Sequence, residues 1–301
     1  MPELPEVETM RRGVAAAAGA TITTVEFPRS RVRPLSIRPR PTVLGPRLTG
    51  RTITAVLRRG KRIVFELAGA APADPRWLAI EPRMTGLMLV GDPPSPEHVR
   101  LVLHLEGSSR GAPARILFWD RRGLGTIRLH DRAGLDAACG PAKLGPDGLE
   151  VTGDDLAVRL GRSRRAIKVA LLDQRAVAGI GNIYAAEILF RVGVDPRTPC
   201  RTLPRDAWER IAIAARQVLA EAVRLEGSSI DDETYRTADN RLGRFQHEHR
   251  VYGREDDPCT ACGTPIVRTV QAQRATFFCP ACQRRRGRRR QHRVATPRRM
   301  P

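Results

Sequence analysis

The stretch MPELPEVETM, residues 1–10, decides how this chain begins to fold. Val7 and Met10 in this stretch, together with Val14 just after it, recur at helical spacing. This period predicts a helix over residues 6–18 that buries one apolar stripe. The amino terminus is therefore expected to be held against a core.

The residues in front of this helix admit two interpretations. Removal of Met1 would leave Pro2 as the amino terminus, with Glu3 beside it. A free terminal amine titrates near ~8, so part of it is neutral and nucleophilic at neutral pH, and an adjacent carboxyl group could move protons. Alternatively, the prolines simply lead into the helix. On these ten residues alone, the second interpretation is favoured.

The charge of the chain indicates its partner. The 301 residues suffice for about two domains, and their net charge of +20 makes nucleic acid the expected ligand. Of the 52 basic residues only three are lysines, namely Lys61, Lys143 and Lys168. Since arginine serves wherever charge alone is needed, these lysines suggest sites that require a compact, titratable ammonium group.

The ends of the chain differ in charge. The tail after Cys282 carries nine arginines and is expected to be a disordered, nonspecific electrostatic arm. The amino terminus is acidic where a secretory signal would be basic, and no run approaches the ~18 apolar residues of a membrane span. We therefore expect a cytoplasmic protein without a membrane partner.

Four of the six cysteines form two C-x2-C pairs, CTAC and CPAC, separated by sixteen residues. This spacing is typical of a structural zinc site. Four thiolate ligands would leave the metal no open coordination position for catalysis. Two disulfides are the alternative, which a cytosolic location disfavours. The sequence thus predicts one structural Zn2+. The expected ligands are Cys259, Cys262, Cys279 and Cys282.

The pattern of secondary structure changes midway along the chain. Eight short β-rich runs, separated by Gly/Pro turns, predict a β-sandwich or barrel that ends near residue 132, with a surface loop over residues 34–46. From about residue 150 the periodicity is helical, and Thr152 is an expected N-cap. A glycine turn at residues 179–181 feeds a helix, where backbone N–H groups could bind phosphate or merely form a tight turn.

Five motifs occur in a fixed order: MPELPEVET at the start, GKR at 60–62, RMTG at 83–86, GIGNIYAAE at 179–187 and QRATFFC at 273–279. In these the chain resembles the bacterial formamidopyrimidine-DNA glycosylases, over nearly its whole length except the basic tail. The leucine of PELPE is similar to the purine-lesion branch of that family. The resemblance implies an enzyme that removes oxidised purines, chiefly 8-oxoguanine opposite cytosine and formamidopyrimidines, and then cuts the strand by β- and δ-elimination.

The resemblance also assigns the catalytic residues. Pro2 would attack the deoxyribose C1′, and Glu3 would donate and shuttle protons. Lys61 would hold a phosphate beside the lesion and act as a proton donor in β-elimination. Arg274, on the zinc ribbon, would grip backbone phosphate and take part in δ-elimination.

Further residues are implied to contact DNA. Met84 and Leu124 would fill the gap left by the extruded nucleotide, as apolar wedges do, and Arg122 would read the orphaned cytosine. The other implied contacts are His98, Arg164, Lys168, Asn182 and Arg244. For His98, Met84, Leu124 and Lys61 a purely structural or solvated role is the alternative.

Several residues depart from the family pattern, and they concern the expected DNA contacts and lesion preference while leaving the catalytic residues intact. Leu124 replaces an aromatic wedge, Gly123 stands where many relatives have arginine, and Arg244 replaces a common tyrosine. Val169 occupies a position where proline is frequent, and the histidine often found shortly before the wedge methionine is missing. Residues 227–240, where relatives carry a mobile lesion-capping loop, are acidic here.

The predicted fold class is α+β, with an amino-terminal β-sandwich domain that carries a terminal helix. A helical domain of helix–two-turn–helix type and a zinc ribbon follow. The expected division is 1–132 for the catalytic β-sandwich, 133–240 for the helical domain with the capping loop, 241–283 for the ribbon and 284–301 for the tail.

The expected partner is double-stranded DNA that contains oxidised bases, bound by a monomer at the bacterial nucleoid. Two alternatives remain from the sequence. One is an enzyme of the same fold that prefers oxidised pyrimidines or abasic sites, because the wedge and capping loop differ. The other is a noncatalytic zinc-ribbon DNA-binding protein.

Overall fold

A computed structural model describes residues 2–69, 75–107, 113–230 and 234–284 of the chain. Three features predicted from the sequence lie wholly or partly outside these ranges. They are the removal of Met1, the centre of the capping segment at 231–233, and the basic tail from residue 285 onward.

The elements follow the predicted change from strands to helices. The helices are α1 (Leu4–Gly13), α2 (Pro41–Leu48), α3 (Arg132–Cys139), α4 (Gly153–Leu160), α5 (Ile167–Leu171), α6 (Asn182–Arg191) and α7 (Arg205–Arg224). The strands are β1 (Ala20–Glu26), β2 (Ser36–Arg38), β3 (Thr52–Arg59), β4 (Arg62–Ala68), β5 (Arg76–Glu81), β6 (Gly86–Leu89), β7 (Val99–Gly107), β8 (Arg115–Asp120), β9 (Thr126–His130), β10 (Val267–Gln271) and β11 (Arg274–Phe278).

The first nine strands form one sheet in the order β2-β9-β5-β4-β3-β1-β7-β8-β6. Neighbours are antiparallel except β2 and β9, which are parallel. Register shifts interrupt the β1–β7, β3–β4 and β7–β8 ladders, and such bulges bend strands. Strands from both ends of the sheet share one apolar core, and α1 contacts β3, β4 and β6. Together with the helices, this confirms the α+β class.

Helix α1 connects the two halves of the molecule. Val7 and Met10 belong to the core of the β-sheet, as their spacing predicted, whereas Leu4 belongs to the core of the helical half. The helix begins two residues before the predicted start and ends at Gly13, where a side chain would collide with Ala238. The expected helical stretch to residue 18 is replaced by a 3-10 turn over Ala15–Ala17.

The predicted surface loop over residues 34–46 is wrong. The segment contains β2, which pairs with β9, and the start of α2. Pro41 lies in the first turn of this helix, where the fixed φ of proline is favourable. Leu44 and Leu48 are fully buried in the core, which explains why a proline-rich stretch is ordered here.

The helical half has its own core, formed mainly by α4 to α7. Thr152 is the predicted N-cap, and its hydroxyl accepts a hydrogen bond from the amide of Asp155 at 3.1 Å. Helix α3 packs instead on the outer face of the sheet, where Leu135 and Cys139 meet Trp77. The strands β10 and β11 form the hairpin of the predicted ribbon. Among the described residues, no helix is long and apolar enough to cross a bilayer.

Candidate active site and nucleic-acid interface

The amino terminus is buried between the two halves of the protein. Glu3, which is 2% exposed, is the N-cap of α1, and its amide donates to Glu6 Oε2 at 2.8 Å. Its own Oε1 accepts a hydrogen bond from the amide of Ile183 at 3.0 Å, in the first turn of α6. Its Oε2 is buried and has no hydrogen-bond partner among the described residues. One carboxylate oxygen is therefore fixed while the other is available for proton transfer.

The glycine turn before α6 makes this arrangement possible. A Cβ on Gly181 would collide with the Glu3 carboxyl group. Gly179 has a φ of 99°, and its carbonyl accepts a hydrogen bond from the amide of Leu4 at 3.0 Å. The helix start thus binds a carboxylate of the chain itself, which the positive end of the α6 dipole stabilises.

A second buried carboxyl group ties the terminus to the distant segment around Ser228. Glu6 is 1% exposed and accepts hydrogen bonds from the amide of Ser228 at 2.8 Å and from the hydroxyl of Tyr184. Burial raises the pKa of the Glu6 carboxyl group, and the neighbouring Glu3 charge adds to this effect. We call Pro2, Glu3, Glu6 and the first turn of α6 the catalytic corner.

Lys61 lies in the turn between β3 and β4, beside the catalytic corner. Burial lowers the pKa of its ammonium group, Glu3 and Glu6 oppose this, and Arg274 reinforces it. The hairpin is held by Arg58, whose guanidinium donates to both oxygens of Asp147 at 2.6 and 3.0 Å. The predicted catalytic groups of the two halves therefore lie within electrostatic reach of one another.

Lys168 is fully buried behind the helix start, and not on the surface. Its ammonium group donates to Asn182 Oδ1 and to the carbonyl of Ala275, which also accepts a bond from Asn182 Nδ2 at 3.0 Å. Burial and the nearby charge of Arg274 lower the pKa of Lys168 to about 8. This cluster joins the helical half to the zinc ribbon.

Arg274 follows a strained hairpin tip. Ala272 and Gln273 have φ values of 47° and 60°, a left-handed conformation that costs non-glycine residues energy. The two residues form the sharp reversal from which β11 begins, so Arg274 is presented at the exposed end of the ribbon. Strain of this kind often occurs where a side chain must be placed for binding.

The four predicted zinc ligands come together in the ribbon. All four Sγ atoms lie within 4.8 Å of one another, and none of these cysteines forms a disulfide. The Cys259–Cys282 and Cys262–Cys279 sulfur distances are 3.9 and 3.5 Å. Tetrahedral zinc with bonds of ~2.3 Å requires sulfurs roughly 3.8 Å apart, so the residues fit one structural Zn2+.

The proposed wedge residues lie on two adjacent turns, residues 82–85 and 121–125, which we call the wedge turns. Met84 is 38% exposed, which is unusual for a large apolar side chain. Both turns are held by the fully buried carboxylate of Asp120. It accepts hydrogen bonds from the Thr85 hydroxyl at 2.5 Å, from the Arg122 amide at 3.1 Å and from the Gly125 amide at 2.8 Å.

Two contacts explain further features of the second wedge turn. Gly123 has a φ of 62°, and a Cβ there would collide with the backbone of Arg33, so the chain has no room for the arginine common in relatives. Arg121 donates a hydrogen bond to the Thr234 hydroxyl at 2.9 Å. This bond links the wedge turn to the described end of the capping segment.

The remaining predicted DNA contacts belong to other segments of the chain. Arg164 is exposed in the loop before α5, and Arg244 is exposed beside the end of α7. His98 packs edge-on against Trp119, with ring centroids 5.4 Å apart. Asp120 and Glu6 were missed by the sequence analysis, because neither their burial nor their distant partners are visible in the local pattern.

Three family profiles match the chain in the order expected from this geometry. They are the formamidopyrimidine-DNA glycosylase N-terminal domain at residues 1–127, the formamidopyrimidine-DNA glycosylase H2TH domain at residues 144–234, and the zinc finger found in FPG and IleRS at residues 256–285. The chain belongs to the formamidopyrimidine-DNA glycosylase family.

Relatives support this family assignment over nearly the full length. A formamidopyrimidine-DNA glycosylase of Cereibacter sphaeroides is 42% identical over 299 residues, covering 94% of this chain and 100% of the relative. The crystal structure of MutM (Fpg) from Thermus thermophilus is 39% identical with a TM-score of 0.79, over 94% of this chain and 98% of that one. A Lactococcus lactis Fpg mutant in complex with a Fapy-dG containing DNA is 30% identical with a TM-score of 0.80, over 94% and 100%.

Proposed function

We propose that this formamidopyrimidine-DNA glycosylase family member is a bifunctional DNA glycosylase and abasic-site lyase that removes oxidised purines from duplex DNA. The observation that carries the proposal is the catalytic corner. Pro2 is buried at the junction of the two halves, next to a Glu3 carboxylate that has one fixed and one unpartnered oxygen. A protein that only bound DNA would need neither group.

The first step couples base removal to formation of a covalent intermediate. The secondary amine of Pro2 attacks the deoxyribose C1′, and the electron pair of the glycosidic bond leaves with the base. The C1′–O4′ bond then opens as the iminium ion forms, and Pro2 loses its proton. Glu3, through its unpartnered oxygen, supplies the proton that the ring oxygen or the leaving base requires.

The same iminium ion drives cleavage of the strand. It acts as an electron sink that acidifies the C2′ hydrogen, so loss of this proton expels the 3′ phosphate in β-elimination. A second elimination expels the 5′ phosphate and leaves a one-nucleotide gap. We assign Lys61 and Arg274 to these phosphates, because Lys61 lies within electrostatic reach of Glu3 and Glu6, and Arg274 lies within reach of Lys61 and Lys168.

The partner is double-stranded DNA bound across the face that carries the wedge turns and the zinc hairpin. Met84 and Leu124 fill the gap in the stack, Arg122 reads the opposite base, and the zinc ion holds the ribbon that presents Arg274. Asn182, His98 and the exposed Arg164 and Arg244 complete the DNA contacts, and Lys168 acts through Asn182. The protein works as a monomer on oxidised bases of the nucleoid, in the bacterial cytoplasm.

Reductive trapping tests the proposal directly. Borohydride should reduce the iminium ion on an 8-oxoguanine duplex and leave a stable adduct on the amino-terminal peptide. Acetylation of the terminus should abolish this adduct, and mass spectrometry should find mature protein without Met1. An adduct that maps to Lys61 or Lys168 would contradict the assignment of Pro2. A panel with formamidopyrimidine, thymine glycol and an abasic site would rank the lesions, and a preference for thymine glycol would favour the pyrimidine-specific alternative.

A further inference from the structure

A cavity of about 210 Å³ lies outside the catalytic corner, on the outer face of β4, β5 and β9 at the end of α3. Basic side chains from two strands and one wedge turn line it, namely Arg62, Arg83, Arg128 and His130. Among the described residues that line the cavity, Glu81 is the only acid. At ~30 Å³ for each water, the cavity has room for a phosphate group and its hydration.

The charges around this cavity favour an anion. Glu81 bridges two guanidinium groups, with Oε2 at 3.1 Å from Arg62 and Oε1 at 3.2 Å from Arg83. Arg128 makes no ion pair with a carboxylate of the described residues. Burial, followed by the charges of Arg128 and Arg62, lowers the pKa of His130, so this ring is neutral near pH 7. Three guanidinium groups therefore face one carboxylate.

The backbone of Arg83 is strained in a way that its own packing does not require. Its φ is 59°, in the left-handed region that favours glycine, yet its side chain is 53% exposed. This conformation is energetically unfavourable for a non-glycine residue, and strain of this kind concentrates at binding sites. The strain places the guanidinium group beside Glu81 and at the mouth of the cavity.

The cavity also lies between two proposed DNA contacts. Arg62 directly follows Lys61, and Arg83 directly precedes Met84. Glu81 contributes to the electrostatic environment of Lys61, which places the cavity next to the catalytic corner. A duplex that engages both Lys61 and Met84 must pass this mouth.

We propose that the cavity is a subsite for one phosphodiester of the bound duplex, held by Arg62, Arg83 and Arg128. The inference rests on the proposed function, since it requires DNA at this face. Guanidinium groups present paired N–H donors that match phosphate oxygens, and Glu81 keeps two of them oriented before DNA arrives. The contact positions the duplex and is independent of base sequence.

A phosphate-by-phosphate scan tests this subsite. Lesion duplexes carry a single neutral methylphosphonate at each position near the lesion in turn, on either strand. Wild-type protein should lose affinity at several positions. Arg128→Gln should bind the unmodified duplex more weakly and lower the slope of log K against log salt by about 0.9, the value for one phosphate. At one position, the methylphosphonate should weaken DNA binding by wild-type protein but should not weaken DNA binding by Arg128→Gln any further.

Two further variants make the result decisive. Arg132→Gln removes the same charge from an exposed α3 arginine paired with Asp136, and it should leave the profile of methylphosphonate effects unchanged. Arg83→Gly relieves the backbone strain, so its melting temperature should equal or exceed that of wild type. It should nevertheless bind more weakly and lose sensitivity at the position identified with Arg128→Gln.

The outcomes separate this inference from the proposed function. If wild-type protein neither excises lesions nor forms the borohydride adduct, the proposed function itself fails. If it does both, but Arg128→Gln and Arg83→Gly keep the wild-type salt slope and profile, only the subsite is wrong. Inorganic phosphate that binds wild type but not Arg128→Gln, with identical DNA profiles, would show a site for free phosphate and overturn the assignment to DNA.

Discussion

The catalytic corner and the wedge turns fix their side chains in opposite ways. Glu3 and Glu6 are nearly inaccessible and are fixed by amides from residues 183 and 228. The wedge turns expose Met84 and Arg122 and depend on one buried carboxylate beneath them, that of Asp120. The groups that we propose to react form hydrogen bonds to distant amides themselves, whereas the groups that we propose to read DNA are positioned by a buried carboxylate beneath their turns. A change in the corner should therefore affect chemistry, and a change under the turns should affect selectivity.

The largest effect is expected from Glu3→Gln. The amide keeps the size of the side chain but removes the titratable proton, so excision of 8-oxoguanine should fall about 10³-fold, within the range for general acid catalysis. Cleavage at a preformed abasic site should suffer less, because no base has to be expelled there. Single-turnover assays on both substrates measure the difference. Equal losses on the two substrates would mean that Glu3 only positions the terminus.

Loss of zinc should come next, and it should affect binding rather than chemistry. Cys262→Ser should release the metal and the hairpin that presents Arg274, so affinity for duplex DNA should drop at least about 100-fold. The amino-terminal sheet should stay folded, as circular dichroism can verify. Metal analysis of metal-replete wild type should give one zinc per chain, and a value below half an equivalent would contradict the assignment.

Asp120→Asn should impair recognition of the base opposite the lesion and leave the chemical steps largely unaffected. An amide cannot accept all three hydrogen bonds, and an unsatisfied buried donor costs about 1–3 kcal/mol. Discrimination between cytosine and adenine opposite the lesion should fall roughly tenfold, within what one base contact supplies. Borohydride trapping on an abasic site should remain near wild type. Thr85→Val removes only one of the three donors and should have a smaller effect. If Asp120→Asn reduced trapping as much as discrimination, the wedge turns would not act separately from the catalytic corner.

The smallest effect concerns pH. The pKa of Lys168, about 8, lies below the ordinary lysine value. The side chain is therefore charged below about pH 8 and loses its charge as the pH rises through that value. We expect kcat/KM for excision to decline above about pH 8, since this parameter reports the free enzyme. Lys168→Met should be less active, by about tenfold, and should lack this decline. A decline that persists in the variant would point to Lys61, whose pKa is also lowered.

The sequence predicts local features of this molecule well and long-range ones poorly. The helix after Pro5, the cap at Thr152 and the CxxC pairs follow from the spacing of neighbouring residues. The segment at 34–46 was mistaken because its order depends on burial of Leu44 and Leu48 and on pairing with a strand about ninety residues away. Asp120 was missed because a buried acid looks like a surface acid in sequence. Lys168 was singled out, but its burial could not be predicted, because that burial depends on packing against the distant ribbon.

The docking of α1 has a consequence for the order in which the protein is made. Pro2 leaves the ribosome among the first residues, but the amide that fixes Glu6 is 222 positions later. At about 5–20 residues per second, that interval lasts roughly 10–40 s. Throughout synthesis of the intervening chain the terminus lacks its final partners, so an aminopeptidase has time to remove Met1 before the junction closes. If Met1 is removed in this interval, the nascent chain is matured while it is still inactive, and the proposed nucleophile becomes competent only after the far end of the protein has been translated.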